Sequence, residues 1–379
     1  MARRPPIVGR FTAEELILAA RNRGMPLEAL RYDVTPPGLH YLLAHFDIPH
    51  VDERAWRLKV YGRVSNAFEM TLEELRAMPR RTVRVTLECA GNGRGQLSPR
   101  YPSVPWVEEG VSTAEWTGTP LGSLLRRAGL DAGAREVVFR GADRGVQGGE
   151  EHEFARSLPC DLASSDEILV AYWMNGAPLP PQHGAPVRLV VPRWYGMASV
   201  KWLRDIEVTD RPFDGYQQAR SYHFMGGAGG RGEPCTLMRV NSLIAPPGMR
   251  EFYSGDRLVQ RGRVEVLGRA WSGSGAVARV EFAVDGEWRD TQVEPPRDAF
   301  AWQSWRIAWD AVPGEHELAC RATDVAGNRQ PAGAALGPVG VRQQRHPSYP
   351  CHGEGLGSRQ RVAAWRVSHS PTREPAGSQ

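Results

Sequence analysis

The segment VRVTLECAGNGRGQL, residues 83–97, runs from an alternating pattern of apolar and polar residues into a cysteine and a glycine-rich turn. The alternation of Val83, Val85 and Leu87 with polar residues predicts a β-strand that has one inward-facing apolar side. Because successive side chains of a strand point to opposite sides, Cys89 belongs to that inward side. The sequence therefore predicts a thiol that is buried at the end of a strand, where the backbone turns.

Two interpretations of this thiol are open at this point. Free cysteine is among the most buried residue types, so the strand alone favours an inert core residue. A free thiol has a pKa of about 8.5, and burial lowers the thiolate fraction further. A chemically active Cys89 would need a partner that keeps it deprotonated, and a bound transition metal does so.

The composition is that of an ordinary globular protein. The chain has 379 residues, of which 41% are hydrophobic and 24% are charged, and its formal net charge is +4. This length suits two or three domains. Since there is no dense run of Lys and Arg, nucleic-acid binding is not indicated, and small anions are the expected partners.

The apolar segments of the sequence are short. LILAA near residue 16 and VRLVVP near residue 187 fall well short of the roughly 18 residues that span a bilayer, so no transmembrane segment is predicted. The start of the chain, MARRPPIVGRFTAEEL, has arginines but no apolar signal core. We expect a cytoplasmic protein, and a periplasmic location stays an alternative if a leader is trimmed.

Five cysteines are scattered along the chain, at positions 89, 160, 235, 320 and 351. Their odd number and wide spacing argue against a disulfide framework. No CxxC or CxxCH motif occurs, so neither a zinc knuckle nor covalently attached c-type haem is indicated. The sequence also lacks the GxSxG and HExxH motifs of common hydrolases.

Two capping boxes mark helix starts in the first part of the chain. Residues 1–35 are predicted to be an extension, with a helix that begins at Thr12 and Glu15. Thr71 and Glu74 have the same spacing and predict a second helix.

Residues 36–225 are predicted to form an α+β domain. Strand patterns such as EVVFRGAD, EILVAYWMNG and APVRLVVP are each punctuated by Gly, Pro or Asn. Thr119 and Pro120 are expected to begin a helix, as N-cap and first-turn residue, that ends at Gly129.

The pattern changes after the glycine-rich segment GGAGGRG, 226–232, which we interpret as a linker. Residues 235–345 show period-two alternation, and Asp285-Gly286 predicts a hairpin turn. One strand face is predicted to contain Ala278, Val280, Phe282 and Val284. Together with SWRIAWD and ELACRATD, these strands are typical of an immunoglobulin-like β-sandwich. Residues 346–379 are predicted to be an irregular tail, in which VAAWRV is a candidate strand.

Three histidines, His40, His45 and His50, recur every five residues. On a helix, this spacing turns each side chain about 140 degrees from the last, so the three would not share a face as metal ligands. We interpret the spacing as coincidence.

The motif LECAGNGR resembles the cysteine motif of the sulfite oxidase family, whose members carry a mononuclear molybdenum held by a pyranopterin dithiolene cofactor. Four further segments resemble that family in the same order: PHVDERAWRLKVYGRV, WTGTPLGSLL, YWMNGAPLPPQHGAPVRLVVP and SVKWLRDIEV. The resemblance extends from about residue 32 to residue 330. It implies a molybdopterin-dependent oxidoreductase, with an α+β cofactor domain and an immunoglobulin-like domain that forms a homodimer.

The resemblance also implies roles for individual residues. Cys89 would be the single protein ligand of molybdenum. The residues that would bind the pterin and its phosphate are Tyr41, His45, Asp143, His183, Arg188, Ser199, Val200 and Lys201. Guanidinium and ammonium groups suit a phosphate dianion, because charge-assisted hydrogen bonds are about twice as strong as neutral ones. Taken one at a time, such residues are also ordinary surface cations, loop residues or turn formers.

Arg94, Trp106 and Tyr222 resemble the substrate side of the family's active site. A tyrosine hydroxyl and an arginine near a redox metal would orient an oxyanion and relay protons. The alternative for these residues is packing and solvated charge.

One departure from the family concerns the substrate. Leu43 and Ala44 stand where sulfite-oxidising members have an arginine and an asparagine. Losing one hydrogen bond to a charged group costs roughly 1.5 to 3 kcal/mol, or about ten- to a hundredfold in affinity. The expectation is oxygen-atom transfer on sulfite or a related substrate, with electrons passed to a separate carrier such as a cytochrome.

Two alternatives stay open. The same cofactor could reduce an S-oxide or an N-oxide. A different class of function is a non-catalytic binding protein that uses its immunoglobulin-like domain. The latter predicts that the purified protein contains no molybdenum.

Overall fold

The computed structural model of the chain describes residues 11–96, 103–225, 231–253 and 255–331, together with a strand at 364–368. Within these ranges the α-helices are α1 (Ala13–Arg21), α2 (Leu72–Ala77), α3 (Leu121–Ala128), α4 (Cys160–Ala163) and α5 (Tyr216–Ala219). Short 3-10 turns lie at Leu27–Arg31, Pro37–Leu39, Arg94–Gln96, Pro181–His183 and Gly196–Ala198. None of the helices in the described ranges has the length and hydrophobicity that crossing a membrane requires.

The first domain is built on two sheets that share one hydrophobic core. Its strands are β1 (Arg57–Gly62), β2 (Phe68–Thr71), β3 (Arg81–Glu88), β4 (Val111–Pro120), β5 (Glu136–Gln147), β6 (Glu150–Pro159), β7 (Leu169–Met174), β8 (Ala177–Pro178), β9 (Arg188–Val190) and β10 (Leu203–Thr209). One sheet has the order β2-β1-β10-β5-β6, with β1 and β10 parallel. The other has the order β3-β4-β7-β8, with β9 added to β7. A hairpin of β11 (His223–Met225) and β12 (Arg231–Pro234) follows.

The second domain is a β-sandwich with its own core. Its strands are β13 (Asn241–Ile244), β14 (Met249–Arg250), β15 (Arg257–Gln260), β16 (Gly262–Trp271), β17 (Val277–Val284), β18 (Glu287–Asp290), β19 (Gln292–Val293), β20 (Gln303–Ala311), β21 (Gly314–Asp324) and β22 (Ala364–Ser368). The sheet β13-β16-β20-β19 packs with the sheet β14-β15-β22-β21-β17-β18. The predicted α+β domain followed by an immunoglobulin-like sandwich is confirmed.

Several local predictions are also confirmed. Both capping boxes form, since Thr12 and Thr71 each accept a hydrogen bond from the backbone of the predicted glutamate three residues on. Asp285 and Gly286 have φ values of 52° and 89° and connect β17 to β18, as the two-residue turn of a hairpin requires. The candidate strand in the C-terminal tail is present as β22, between β15 and β21.

Two local predictions are wrong. Ala278 is exposed because the pairing of β17 with β21 shifts register between Val277 and Arg279, which turns Ala278 away from the core. Helix α3 begins one residue later than expected: Thr119 belongs to β4, where its hydroxyl donates to the Leu75 carbonyl at 3.0 Å. Most of the predicted glycine-rich linker, 226–230, lies outside the described residues.

Candidate active site

A cavity of about 650 Å³, open to solvent, lies in the first domain where β3 ends. Nine of the predicted site residues line it: Tyr41, His45, Cys89, Asp143, His183, Arg188, Ser199, Lys201 and Tyr222. The structure therefore brings together residues that are as much as 181 positions apart in the sequence, Tyr41 and Tyr222.

Cys89 lies in the cavity wall, as the strand pattern predicts. It is 6% exposed, and its backbone N–H donates to the Gly110 carbonyl at 2.7 Å. The Gly91 N–H donates to Sγ at 3.4 Å. Burial raises the pKa of the Cys89 thiol, and the nearby Arg94 guanidinium opposes that shift only in part. Without a metal, this side chain is a thiol at neutral pH.

Two cations form one side of the cavity. The Arg188 guanidinium is buried and donates to the carbonyls of His183 and Ser199, both at 3.1 Å. Lys201 Nζ donates to the carbonyls of Leu43 at 2.7 Å and Gln182 at 3.2 Å. Burial lowers the pKa of Arg188 to about 10. Both positive charges are thus held by carbonyl oxygens.

Asp143 is the acidic side chain of the cavity lining. It is 4% exposed, and its Oδ1 atom is buried without a hydrogen-bond partner. Burial raises the pKa of Asp143 and lowers the pKa of Lys201. Because two cations, the buried Arg188 and the half-buried Lys201, face one carboxylate, the cavity favours an anion.

Three histidines line the cavity as neutral imidazoles. Burial lowers the pKa of His40 and of His45 to about 3 and the pKa of His183 to about 2. His40 Nδ1 lies 2.9 Å from the Tyr41 carbonyl oxygen, which leaves its buried Nε2 without a partner. His40 and Asp143 thus each present an unpaired polar atom inside the protein.

Tyr222 also lines the cavity. Its hydroxyl is hydrogen-bonded to His45 Nε2 at 2.5 Å, and its backbone has a left-handed φ of 38°. Burial raises the pKa of Tyr222, so the phenol stays protonated at neutral pH. Because His45 is neutral, its Nε2 can accept a hydrogen bond from the Tyr222 hydroxyl.

Three predicted site residues do not line the cavity. Arg94 lies beside the Cys89 turn, where its Nη1 donates to Ser103 Oγ at 2.6 Å. The Trp106 ring meets Tyr41 edge-on, with centroids 6.4 Å apart. The Val200 side chain belongs to the hydrophobic core.

The sequence analysis missed several residues. The helix argument for His40, His45 and His50 does not apply, because residues 40–50 form no helix, and His40 and His45 both line the cavity. Phe154 also lines the cavity, and Arg156, on the same side of β6, packs its guanidinium 5.6 Å from the Tyr222 ring centroid. A single arginine in a strand pattern does not predict that its side chain will pack against a tyrosine of the cavity.

Two known protein-family models match this chain, one in each domain. Residues 45–217 match the model of the oxidoreductase molybdopterin binding domain, and residues 233–343 match that of the Mo-co oxidoreductase dimerisation domain. Sulfite oxidase of Gallus gallus is 32% identical over 326 residues, which are 80% of this chain and 69% of the chicken protein. This chain belongs to the sulfite oxidase family.

Other proteins that are similar to this chain differ in how much of their length the chain spans. Mitochondrial sulfite oxidase of Mus musculus is 33% identical over 79% of this chain, which spans only 57% of the mouse protein. NADH nitrate reductase 1 of Arabidopsis thaliana is 31% identical over 82% of this chain and 37% of the plant protein. The crystal structure of the sulfane dehydrogenase SoxCD from Paracoccus pantotrophus shares the fold, with a TM-score of 0.73 and 24% identity over 89% of this chain and 83% of that chain.

The cavity fits the molybdenum–molybdopterin cofactor that this family membership implies. Arg188 and Lys201 suit its phosphate, and the unpaired Asp143 Oδ1 and His40 Nε2 suit the nitrogen-rich pterin ring. Cys89 would supply a soft sulfur for the metal. No group of three or more His, Cys, Asp or Glu side chains arranged to hold a metal occurs among the residues that the structure describes.

Proposed function

We propose that this chain is an oxygen-atom-transfer enzyme, that Cys89 is its molybdenum ligand, and that sulfite or a related small sulfur compound is its substrate. The observation that carries the proposal is a buried thiol in a cavity whose two cations, the buried Arg188 and the half-buried Lys201, are held by backbone carbonyls. When bound, the cofactor supplies two-electron redox chemistry and the exchange of an oxygen atom. The residues around it bind, orient and handle protons.

The cofactor's phosphate is assigned to Arg188 and Lys201. Both cations are already oriented by carbonyl oxygens, so little side-chain freedom is lost when an anion binds. We assign a set of further residues to cofactor binding: His183, Ser199, the backbone of Val200, Tyr41 and His45. Asp143 accepts from a donor of the pterin ring.

The substrate side is assigned to Tyr222, Arg94 and Trp106. Tyr222 is a protonated phenol held against His45, which suits a group that relays a proton between a substrate oxygen and the imidazole. Arg94 lies beside the cysteine turn and adds positive charge for an oxyanion. Trp106, which does not line the cavity, supports the lining residue Tyr41 through their edge-on ring contact.

Leu43, Phe154 and Met197 make part of the cavity lining apolar. This lining favours a less charged substrate, so reduction of an S-oxide or an N-oxide is the second candidate function. Both candidates use the same cofactor and differ in the direction of oxygen-atom transfer.

We assign the role of electron acceptor to a separate carrier, such as a cytochrome. The match of residues 233–343 to a dimerisation domain supports a homodimer. We propose residues 36–225 as the cofactor domain and residues 235–345 as the dimer-forming domain.

The test is steady-state turnover of molybdenum-loaded protein. Sulfite is assayed with an oxidising dye or cytochrome c, and dimethyl sulfoxide and trimethylamine N-oxide with reduced viologen. We expect sulfite oxidation that falls about a hundredfold in Tyr222→Phe, because a proton-transfer group is lost, and does not fall in the exposed control Tyr253→Phe. Reduction of the oxides without sulfite turnover would favour the second candidate, and molybdenum-free protein would favour the non-catalytic binding protein.

A further inference from the structure

Glu88 is the last residue of β3 and directly precedes Cys89, but it does not line the cavity. Its side chain is 4% exposed. A buried carboxylate is costly unless hydrogen-bond donors surround it. The identity of its donors therefore shows what holds this end of the strand in place.

Three side-chain N–H groups donate to Glu88. Asn92 Nδ2 and Asn241 Nδ2 each donate to Oε1 at 3.1 Å, and Trp271 Nε1 donates to Oε2 at 3.0 Å. Asn92 belongs to the cysteine turn. Asn241 is in β13 and Trp271 ends β16, so two of the three donors come from the second domain.

Asn92 also holds the turn that carries the thiol. Its Oδ1 accepts from the Gly110 N–H at 3.0 Å, and its own N–H donates to the Cys89 carbonyl at 2.8 Å. The same turn directs the Gly91 N–H to Sγ. A displacement of the Glu88 carboxylate would therefore be passed on through both the backbone and Asn92.

Docking of the second domain completes this set of hydrogen bonds. Removal of its two donors would leave a buried carboxylate with one donor, and such a carboxylate moves towards water or another partner. Because Glu88 and Cys89 are consecutive, with Cα atoms about 3.8 Å apart, the cysteine backbone follows.

We propose that Glu88 is a positioning residue through which the second domain fixes the orientation of Cys89 in the cavity. This inference rests on the proposed function, in which Cys89 binds the metal. It links the region that matches a dimerisation domain to the metal ligand through two side chains, Asn241 and Trp271.

The test uses Trp271→Phe, which removes one donor and keeps an aromatic ring. Trp302→Phe is the matched control, because Trp302 is also buried and its indole donates to the Asp33 carbonyl at 2.9 Å, away from Glu88. One readout is the thiolate-to-metal absorption of the loaded protein, which depends on the orientation of the cysteine. The other is amide hydrogen exchange of residues 88–96, in loaded and cofactor-free protein.

We expect Trp271→Phe to shift the absorption band and to speed exchange in the cysteine turn about tenfold, the change that corresponds to the loss of one hydrogen bond to a charged group. Trp302→Phe is expected to lower thermal stability to a similar extent and to change neither readout. Asn241→Ala removes another donor with a smaller change of shape, so the same result is expected if Trp271→Phe fails to fold.

Identical band and exchange rates in wild type, Trp271→Phe and Asn241→Ala would overturn the inference. Cys89→Ser separates this failure from that of the proposed function. If the band disappears in Cys89→Ser but does not respond in the other variants, the positioning role alone is wrong. If the band persists in Cys89→Ser, the proposed metal ligand is wrong, and the inference falls with it.

Discussion

Glu281 in the second domain and Arg188 in the first are both buried charged side chains, and they differ in their partners. Glu281 accepts two hydrogen bonds from Arg321, each 2.7 Å long, and forms ion pairs with Arg329 at 3.1 Å and Arg279 at 3.3 Å. Arg188 donates only to carbonyl oxygens among the residues that the structure describes.

The difference separates a structural cluster from a binding site. Charges that are paired when the protein folds need no ligand, and breaking such a pair destabilises the fold. Buried cations held only by carbonyls retain an excess of positive charge that an anion can neutralise. In our proposal, the same residue type, arginine, therefore stabilises the second domain and binds a phosphate in the first.

The largest expected effect is on cofactor binding. Arg188→Met and Lys201→Met each remove charge-assisted hydrogen bonds to the phosphate, so we expect affinity for the cofactor to fall about a hundredfold or more. Molybdenum content of the purified variants measures this. Arg321→Met is the matched control in the second domain and should keep the wild-type content. Equal contents in all three variants would contradict the contrast between the two clusters.

The next effect is on stability. Arg321→Met breaks the bidentate pair with Glu281 and leaves a buried carboxylate with weaker partners, so it should lower the free energy of unfolding by about 3 kcal/mol. Arg188→Met should lower the free energy of unfolding of the cofactor-free protein clearly less, because it breaks no ion pair. Urea unfolding of the cofactor-free variants gives both values. A larger cost for Arg188→Met would show that Arg188 is structural.

A smaller effect is the dependence of stability on pH. Mainly because Arg321 hydrogen-bonds to it, the pKa of Glu281 falls from 4.5 to about 2. The stabilisation is complete above pH 4.5 and is lost as the pH falls towards 2. Between pH 6 and pH 3, wild type should lose about 2 kcal/mol more than Glu281→Gln in urea unfolding. The exposed Glu287→Gln should keep the wild-type dependence, and a parallel loss in Glu281→Gln would disprove this assignment.

The smallest expected effect concerns the substrate. Leu43→Arg adds a cation to the cavity lining, so the KM for sulfite should fall about tenfold. This is the change in affinity that one hydrogen bond to an anion produces. The KM for dimethyl sulfoxide should not fall, since that substrate is uncharged. Leu43→Met is the control for shape. An unchanged KM for sulfite would show that residue 43 does not contact the substrate.

Features that depend on local sequence could be predicted. The two capping boxes and the Asp285-Gly286 turn are set by contacts within a few residues, and all three form. The burial of Cys89 follows from the period of its strand. Most cavity residues were found because their motifs resemble a known family.

Features that depend on tertiary contacts could not be predicted. Ala278 alternates correctly in sequence, but a register shift against β21 exposes it. His40 reaches the cavity because the chain is irregular there, which periodicity does not show. Glu88 and Arg156 gain their roles from residues 153 and 66 positions away, respectively Asn241 and Tyr222.

The coordination of molybdenum by Cys89 is the central claim, and X-ray absorption at the molybdenum edge tests it most directly. Cys160 is a buried cysteine outside the cavity and serves as the control. Wild type and Cys160→Ser should show the same number of sulfur neighbours around the metal. Cys89→Ser should show one sulfur neighbour fewer. If Cys89→Ser keeps the wild-type number of sulfur neighbours, the thiol does not hold the metal and the account is wrong.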